Sequence, residues 1–323
     1  MNVLITGGAG YIGSHTALEF LENSCNVTIV DNLENGKKFL IPKKAEFLEA
    51  DISDEFELNN LFKEKKIDIV VHLAAYTKVA ESIQNPEKYY DNNYKKSKKF
   101  FDICIKNKAK RFIFSSTGAV YGNLKNSDNL KEDDRKKPLN AYSDSKLKTE
   151  NYLTSIYKEN SLKILTLRYF NVAGSDKKLR SGLITNPDNL IKAICEYIVG
   201  KRKSFFINGN DYNTKDGTTV RDFIHVSDLA NIHYVMSKKL MNINNSFYDD
   251  CNCGYGKGFS ILEVINEFEK IIKKKLDFKV GTRRKGDAEI TVANVEKLFK
   301  EYNWKPSYDN LNKILQSALK WEK

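Results

Sequence analysis

Residues 3–21 of the chain read VLITGGAGYIGSHTALEFL, and this stretch decides the fold class. An apolar run leads into glycines at positions 8, 10 and 13, and apolar side chains then recur at helical spacing. Glycine at these places permits a tight turn, close approach of the backbone to a pyrophosphate, and close packing of helix on strand. The free N–H groups at the start of the helix favour a phosphate. The stretch predicts the opening unit of a dinucleotide-binding domain.

An acidic residue stands at the place where such a domain holds the ribose. The apolar run Val27–Val30 ends on Asp31, about 20 residues after the glycine loop. A carboxylate there accepts the ribose hydroxyls and repels a 2′-phosphate, which favours NAD over NADP. The alternative role for Asp31 is that of a turn residue, helped by Asn32 and Gly36 nearby. The order of strand, loop, helix, strand and acid favours the cofactor role.

Composition sets the broad class of protein. The chain has 323 residues, 53 lysines and arginines against 42 acidic residues, and a net charge of +11. This length buries a large core in one two-lobed unit or two domains. The basic runs lie in helical patterns that also have apolar faces, so we interpret them as solvated surface and expect no nucleic-acid partner. No apolar stretch reaches the roughly 18 residues that span a bilayer, so no membrane association is expected either.

Cysteine and histidine usage points to a reduced compartment without a bound metal. The five cysteines form no C-x-x-C pair and are an odd number, which is typical of a cytoplasmic protein. Only two residues precede the first strand, which leaves no room for a signal peptide. The four histidines are scattered, and we expect His72, His225 and His233 to be structural.

Strand-like and helical segments alternate through the first half of the chain. This alternation predicts an α/β fold, a Rossmann-type doubly wound parallel sheet with helices on both faces. After Gly174 the sequence becomes polar and rich in loops, and later helical patterns at 261–272 and 310–319 indicate a smaller C-terminal α/β substrate-binding lobe. We therefore expect a dinucleotide-binding domain over residues 1–172 and a substrate-binding domain over 173–323, with some later segments returning to the first.

Candidate catalytic residues follow the strands, because ligands of an open parallel sheet bind beyond the carboxyl ends of its strands. Phe112–Phe114 is followed by Ser115, Ser116 and Thr117, and Tyr142 and Lys146 open a helical stretch further on. Four residues apart, the phenol and the ammonium share one helix face. Tyr-x-x-x-Lys also occurs at four other places, so the spacing alone means little. The position after the hydroxyl-bearing strand end selects Tyr142.

The whole chain resembles the extended short-chain dehydrogenase/reductase family, and within it the UDP-glucose (UDP-galactose) 4-epimerases. The likeness runs nearly from end to end and is specific in combination. It rests on TGGAGYIGSH (6–15), VDN (30–32), YYDNN (89–93), FSST with AVYG (114–122), YSDSK (142–146), RYFNVAG (168–174), GNDYNTKDGTTVRDFIHVSDLA (209–230) and RRKGD (283–287).

The resemblance implies a reaction and the residues that carry it out. Tyr142 would take the proton from the sugar 4-hydroxyl while NAD takes the hydride from C4, and Thr117 would hydrogen-bond the reacting oxygen. A phenol with a pKa near 10 is a weak base at neutral pH unless positive charge favours the phenolate. Lys146 and the nicotinamide cation would supply that charge, and a lowering of about three units corresponds to roughly 4 kcal/mol. The 4-keto sugar would rotate and take the hydride back on its other face, regenerating NAD.

The same resemblance implies two sets of binding residues and a homodimer. For the cofactor these are Gly7, Gly10, Tyr11, Ile12, Gly13, Asp31, Asn32, Asp51, Ile52, Leu73, Ala74, Asn92, Tyr142, Lys146 and Phe170. For the UDP-sugar they are Thr117, Asn171, Asn189, Arg221, Arg284, Asp287 and Thr291. Two arginines suit a pyrophosphate because the guanidinium offers paired donors, although surface ion pairing is the alternative for both. The homodimer would pair the helices near 89–106 and 142–158.

The chain departs from the family pattern at three places. A lysine that often touches the cofactor is displaced by one position, leaving Thr77 in its place and Lys78 beyond it. Asn208 replaces an aromatic residue before the GND segment. Thr291 stands where members that handle only plain hexoses often carry tyrosine, and its smaller side chain leaves room for a 2-acetamido group. We therefore expect the N-acetylhexosamine pair to be tolerated.

Three other functions are compatible with a dinucleotide-binding fold. A 4,6-dehydratase needs an acid and a base directly after the strand-end threonine, and here Gly118 and Ala119 cannot move a proton. A net reductase would require added NAD(P)H, which an epimerase does not. A non-catalytic NAD(H)-sensing module would have no need of Thr117, Tyr142 and Lys146. These alternatives leave a 4-epimerase as the favoured function.

Overall fold

The computed structural model describes residues 1–124, 128–184 and 189–323. Its strands are β1 (Asn2–Thr6), β2 (Asn26–Asp31), β3 (Glu46–Glu49), β4 (Ile69–His72), β5 (Arg111–Thr117), β6 (Lys163–Tyr169), β7 (Asn171–Ala173), β8 (Phe206–Asn208), β9 (Val220–His225), β10 (Phe247–Cys253), β11 (Gly258–Ser260), β12 (Lys279–Gly281) and β13 (Ile290–Thr291). Its helices are α1 (Tyr11–Glu22), α2 (Glu55–Glu64), α3 (Val79–Gln84), α4 (Pro86–Tyr89), α5 (Ser97–Lys106), α6 (Ala141–Ile156), α7 (Leu190–Ile198), α8 (Val226–Met241), α9 (Ile261–Ile272), α10 (Glu296–Lys300) and α11 (Leu311–Glu322).

The largest sheet has seven strands in the order β10-β6-β5-β4-β1-β2-β3, and each pair of adjacent strands in it is parallel. Both of its faces are buried. Along β1, Val3 and Ile5 belong to one apolar cluster and Leu4 to another on the opposite side. Continuous apolar strands covered on both faces are what helix crossovers produce. The predicted doubly wound fold is confirmed.

The later part of the chain builds two smaller sheets. In one, β9 pairs with β7 and β13 in parallel and with β11 in antiparallel orientation. The other pairs β8 with β12. Phe170 is the only residue between β6 and β7, so the large sheet and the β9 sheet meet at the carboxyl end of β6. This junction places loops from both sheets around one cleft.

The helical segment expected over 89–106 has an interruption. Between α4 and α5 the chain forms a π-helix over Tyr90–Lys96. Within it the buried Asn93 side chain pairs with the backbone of Tyr76, accepting its N–H at 2.9 Å and donating to its carbonyl at 2.9 Å. π-turns are often found at functional sites because they redirect a side chain. Asn92, the preceding residue, lines a cavity described below.

No helix in the described ranges combines the length and the apolar character needed to cross a membrane.

Candidate active site

Two cavities open at the carboxyl ends of the parallel strands. The larger has a volume of about 610 Å³ and the smaller about 400 Å³. Residues that line both include Thr117 at the end of β5, Tyr142 on α6 and Phe170 after β6. The two cavities therefore meet beside Thr117, Tyr142 and Phe170.

The floor of the smaller cavity is the glycine loop before α1. Gly10 is the N-cap of α1, and no side chain caps the first turn of the helix. Gly7 has a φ of +69°, and a Cβ there would lie 2.7 Å from the amide nitrogen of Ala74. A Cβ on Gly13 would lie 2.1 Å from the carbonyl oxygen of Gly7. Uncapped N–H groups facing a cradle without side chains fit a bound phosphate group.

Gly8, the first glycine of the sequence pattern, has a different place. A Cβ on Gly8 would lie 2.6 Å from the side chain of Ile29 on β2. Gly8 is not among the residues that line the smaller cavity. Its small size therefore serves the packing of the loop on the sheet.

Carboxylates gather at one end of the smaller cavity. Asp31 is buried and accepts the N–H groups of Ala9 at 3.0 Å and Leu33 at 2.9 Å. Burial raises the pKa of Asp31. The pKa of Asp51 is lowered, because hydrogen bonds from Ser53 and Lys96 outweigh the effect of its burial. Negative charge here disfavours a 2′-phosphate and so fits NAD better than NADP.

The helix α6 brings Tyr142 and Lys146 to the junction of the cavities. Asn140 caps this helix by accepting the N–H of Ser143 at 3.0 Å. Lys146 is buried, and its Nζ donates to the carbonyl of Ser115 at 2.8 Å. Burial lowers the pKa of Lys146 to about 7, against a weaker opposing effect of Glu150. Four-residue spacing on one helix thus places both groups at the end of β5.

The pKa of Tyr142 is raised above its ordinary value in the protein without cofactor. Burial is the main cause, and a hydrogen bond with Thr117 opposes it. The free-energy cost of removing a phenolate from water exceeds the stabilisation that one hydrogen bond provides. The lowered phenol pKa expected above depends on Lys146 and the nicotinamide cation together, whereas the raised pKa of Tyr142 belongs to the protein without cofactor.

A buried ion pair lies behind the strand end. Glu150, one turn beyond Lys146, accepts Arg168 through Nε at 3.1 Å and Nη2 at 2.8 Å. Glu150 also accepts the hydroxyl of Ser116. The end of β5 is thus held by α6 at two successive residues, through the Ser115 carbonyl and the Ser116 side chain. Ser116, whose role the sequence left open, lines neither cavity.

Arg202, Arg221 and Arg284 line the larger cavity, and the last two are those that the sequence singled out. Arg221 on β9 donates to the backbone carbonyls of Ala288 at 2.7 Å, Val220 at 2.9 Å and Glu289 at 3.2 Å. Burial lowers the pKa of Arg221 from its ordinary value. Arg284 lies 4.0 Å from Asp287. Arg221 is therefore fixed by backbone, which differs from the surface ion pair considered for it above.

The cavities together contain the residues that the sequence singled out. Each residue proposed for the cofactor lines the smaller cavity, and each residue proposed for the UDP-sugar lines the larger. Thr77 and Lys78 line both, and Asn208 lines the larger. Sequence reasoning missed Glu34, Tyr76 and Phe206, which also line the cavities. Their positions next to recognised motifs were a signal, but only the fold shows that they face the ligand space.

The three histidines named above lie outside the cavities. His72 contacts Thr6 Oγ1 at 2.7 Å and Ser97 Oγ at 2.9 Å. His225 accepts the N–H of Ser227 at 3.1 Å, and His233 contacts the Leu229 carbonyl at 2.8 Å. These contacts give the histidines structural roles. Within the described part of the chain, no group of three or more His, Cys, Asp or Glu side chains is arranged to hold a metal ion.

Comparison with known proteins gives consistent matches over the whole chain. A family model described as the NAD dependent epimerase/dehydratase family matches residues 3–254. The UDP-glucose 4-epimerase of Azospirillum brasilense is 37% identical over 322 residues, covering 99% of this chain and 92% of that protein.

Two solved structures are close in fold and sequence. The UDP-glucose 4-epimerase from Bifidobacterium longum in complex with NAD+ and UDP has a TM-score of 0.94 and 34% identity, covering 100% of this chain and 98% of that one. The UDP-Glc/GlcNAc 4-epimerase from Campylobacter jejuni has a TM-score of 0.84 and 39% identity, covering 99% and 98%.

Proposed function

Because this chain belongs to the NAD dependent epimerase/dehydratase family, we propose that it is a UDP-glucose 4-epimerase that interconverts UDP-galactose and UDP-glucose. The observation that carries this proposal is the meeting of the two cavities at Thr117 and Tyr142. A cofactor in one cavity and a sugar nucleotide in the other would then face each other across a single phenol. Full-length relatives named UDP-glucose 4-epimerase support it.

The smaller cavity fits NAD. The uncapped start of α1 would hold the pyrophosphate, and Asp31 and Asp51 would hold the adenosine half. Leu73, Asn92 and Phe170 would line the path toward the nicotinamide. When bound, NAD supplies the hydride acceptor and donor for the sugar C4.

Tyr142 is the proton acceptor and donor for the 4-hydroxyl in this proposal. Its phenolate is favoured only when positive charge offsets burial, and Lys146 together with a bound oxidised nicotinamide would provide that charge. A phenolate nearby in turn favours the ammonium form of Lys146, so the two groups support each other. Thr117 hydrogen-bonds Tyr142 and would hold the reacting oxygen. The protein therefore activates its base only once the cofactor is bound.

The larger cavity would hold the UDP part of the substrate. Arg221 and Arg284 offer permanent charge to a pyrophosphate, and Asn171, Asn189 and Asp287 offer polar groups beside them. We propose that residues 1–172 form the NAD-binding domain and 173–323 the UDP-sugar-binding domain. The strand β10, which pairs with β6, would belong to the first.

We also propose that the enzyme accepts the N-acetylhexosamine pair. Thr291 lines the larger cavity, and its side chain leaves space that tyrosine would fill. The likeness to the UDP-Glc/GlcNAc 4-epimerase from Campylobacter jejuni supports this proposal. We further propose that the enzyme is a homodimer and that it is cytoplasmic. The five cysteines are free and buried, which is compatible with a reducing compartment.

NMR of purified protein with UDP-galactose or UDP-N-acetylgalactosamine, and no added cofactor, tests the function. We expect each substrate to reach equilibrium with its gluco epimer. Conversion that requires added NAD(P)H would indicate a reductase, and loss of water would indicate a dehydratase. Absence of any turnover in NAD-containing protein would favour a sensing module.

A substitution at Thr291 separates the two sugar classes. In Thr291→Tyr the phenol would occupy the acetamido space, so turnover of UDP-N-acetylgalactosamine should fall at least tenfold while turnover of UDP-galactose stays within threefold, a difference of about 1.4 kcal/mol or more. Thr219→Ser, at another residue lining the larger cavity, serves as the control and should leave the ratio of the two rates unchanged. Equal loss with both sugars would contradict the assignment of Thr291.

A further inference from the structure

We propose that Glu34 and Tyr76 form a clasp across the mouth of the smaller cavity, and that this clasp slows the exit of the cofactor. The inference rests on the proposed function, because it concerns retention of NAD. Both residues line the smaller cavity, and the Tyr76 hydroxyl donates a hydrogen bond to the Glu34 carboxylate. No motif in the sequence marks either residue.

The sheet order shows what this bond encloses. β1 lies between β4 and β2, and the glycine loop follows β1. Tyr76 follows β4 and Glu34 follows β2, so the two residues belong to the loops on either side of the glycine loop. A bond between them therefore crosses in front of that loop. A pyrophosphate seated on the start of α1 would lie between the loop behind it and the clasp before it.

The Tyr76 side of the clasp is firmly anchored. Its backbone N–H and carbonyl both pair with the buried Asn93 side chain, each at 2.9 Å. Lys88 lies over its ring, with Nζ 4.2 Å from the ring centre. The same Nζ is 2.8 Å from a Glu81 carboxylate oxygen and 3.9 Å from a Glu34 carboxylate oxygen. Lys88 thus links the phenol ring to both carboxylates.

The Glu34 side is the half that can move. Its side chain is 48% exposed and stands on a loop held by two short turns. In these turns Asp31 accepts the N–H of Leu33 at 2.9 Å, and Asn32 accepts the N–H of Glu34 at 3.1 Å. Leu33 has a φ of +59°, a left-handed conformation that is unfavourable for leucine. Opening the clasp would let this loop relax, whereas the Tyr76 side would stay in place.

Retention of the cofactor suits the proposed reaction. The hydride returns to the same substrate molecule, so the cofactor is regenerated in every cycle and has no need to leave. A hydrogen bond to a carboxylate that must break before exit adds to the barrier for dissociation without contacting the reacting atoms. Glu34 and Tyr76 are therefore retaining residues and take no part in the chemistry.

Exchange of bound NAD for isotope-labelled NAD, followed by mass spectrometry after gel filtration, tests the clasp without any turnover. Tyr76→Phe keeps the ring and its contact with Lys88 but removes the hydroxyl, and we expect exchange about tenfold faster than in the parent, equivalent to about 1.4 kcal/mol. Glu34→Gln keeps an acceptor without the charge and should give a smaller acceleration.

Tyr152→Phe is the matched control. It removes a phenol–carboxylate hydrogen bond of the same kind, from Tyr152 to Asp102, at a place that lines neither cavity. We expect exchange at the parent's rate in this variant. Exchange at the parent's rate in Tyr76→Phe would overturn the clasp, and so would equal acceleration in Tyr76→Phe and Tyr152→Phe. A parent protein that binds no NAD would contradict the proposed function itself.

Discussion

At the scale of single residues, Tyr142 is distinguished from other tyrosines by its place. Four other Tyr-x-x-x-Lys pairs occur in the sequence, but Tyr142 hydrogen-bonds Thr117 where the cavities meet. In Tyr142→Phe no group can move the proton of the 4-hydroxyl. We expect kcat to fall by about 10³, as for loss of a general base. The measurement is the initial rate of UDP-galactose conversion.

The NAD content of the variant and a second variant as control distinguish a catalytic defect from a defect in folding or cofactor binding. The NAD content of Tyr142→Phe should equal that of the parent, because a phenylalanine preserves the packing of the site. Tyr90→Phe is the control, since the Tyr90 hydroxyl donates to Asp144 at 2.9 Å and lines neither cavity. A Tyr142→Phe enzyme with more than a tenth of the parent's rate would contradict the assigned role.

Lys146 gives the cofactor-free protein a characteristic pH dependence. Its pKa is lowered by burial to about 7, whereas a lysine in the unfolded chain keeps its proton to about pH 10. Between these pH values the unfolded chain binds more protons, so this residue makes the free energy of unfolding rise with pH. Lys146→Met lacks the effect. We expect its stability relative to the parent to be highest at pH 6.5 and to fall by about 3 kcal/mol on going to pH 9.5.

Urea denaturation of NAD-free protein at both pH values measures this difference. Lys148→Met, at an exposed position on the same helix, is the control. Its free energy of unfolding should differ from that of the parent by the same amount at pH 6.5 and at pH 9.5. If the gap between Lys146→Met and the parent were the same at pH 6.5 and 9.5, Lys146 would not carry a lowered pKa.

Site residues that belong to a sequence motif could be predicted, whereas residues whose role depends on a contact distant in the sequence could not. The glycine loop, Asp31, Thr117 and Tyr142 follow recognisable patterns, and the structure places all of them around the cavities. The bond between Glu34 and Tyr76 joins residues 42 positions apart, and the motifs near each residue do not show that the two side chains meet. The raised pKa of Tyr142 also depends on burial, which spacing alone does not show.

At the scale of secondary-structure elements, Asp222 ties the β9 sheet together. It is fully buried on β9 and accepts the N–H groups of Tyr255 at 2.9 Å, Gly256 at 2.9 Å and Ala293 at 3.3 Å. Burial raises its pKa to about 6. This carboxylate joins the loop after β10 and the segment after β13 to the strand that carries Arg221. The role of Asp222, which the sequence left open, is thus structural.

Asp222→Asn should loosen that sheet. The amide removes an unfavourable buried charge, but its NH₂ group would face backbone donors that lose their acceptor. An unsatisfied buried N–H costs about 1–3 kcal/mol, so we expect the variant to be less stable by about 2 kcal/mol, with a raised KM for the UDP-sugar. Urea denaturation and steady-state kinetics measure the two effects.

Asp309→Asn provides the comparison. Asp309 is exposed and pairs with Lys257 at 3.1 Å, so its loss should change stability by less than about 0.5 kcal/mol. An Asp222→Asn protein as stable as Asp309→Asn would show that the three N–H contacts contribute little to the β9 sheet.

Strands and helices could be predicted from the sequence where the spacing of apolar residues repeats over enough positions to be recognised. The strands β1, β2 and β5 and the helices α9 and α11 appear within a few residues of their expected positions. β13 has two residues and β7 has three, which is too short for alternation to show. The π-helix over Tyr90–Lys96 contains Asn93, whose side chain pairs with the backbone of Tyr76 17 positions earlier, a contact that local spacing does not show.

At the scale of the whole molecule, alternation of strands and helices predicts a parallel sheet but not its strand order. β10 comes late in the chain and yet forms the edge beside β6, seven residues in register. Arg168 on β6 also donates to Asp250 on β10 at 2.6 Å. This ion pair ties the returning strand to the large sheet, and long-range pairing of this kind leaves no local signal in the sequence.

We expect the protein to form a homodimer through α5 and α6. The helices α5 and α6 lie side by side, joined by the hydrogen bond from Tyr152 to Asp102. Two copies related by a two-fold axis would pack these helices into a self-complementary four-helix interface. Light scattering coupled to gel filtration should give twice the mass of one chain. A monomeric parent would contradict the dimer.

Charge reversal locates the interface. Lys98 lies on the outer side of α5, 3.8 Å from Asp102, so Lys98→Glu would add repulsion within α5 and between copies. We expect this variant to dissociate at concentrations where the parent stays dimeric. Lys38→Glu breaks a comparable surface pair, with Glu49 at 3.4 Å, far from these helices along the chain, and should remain a dimer. If both variants stay dimeric, the interface lies on another face; if both dissociate, net charge rather than contact at α5 controls assembly.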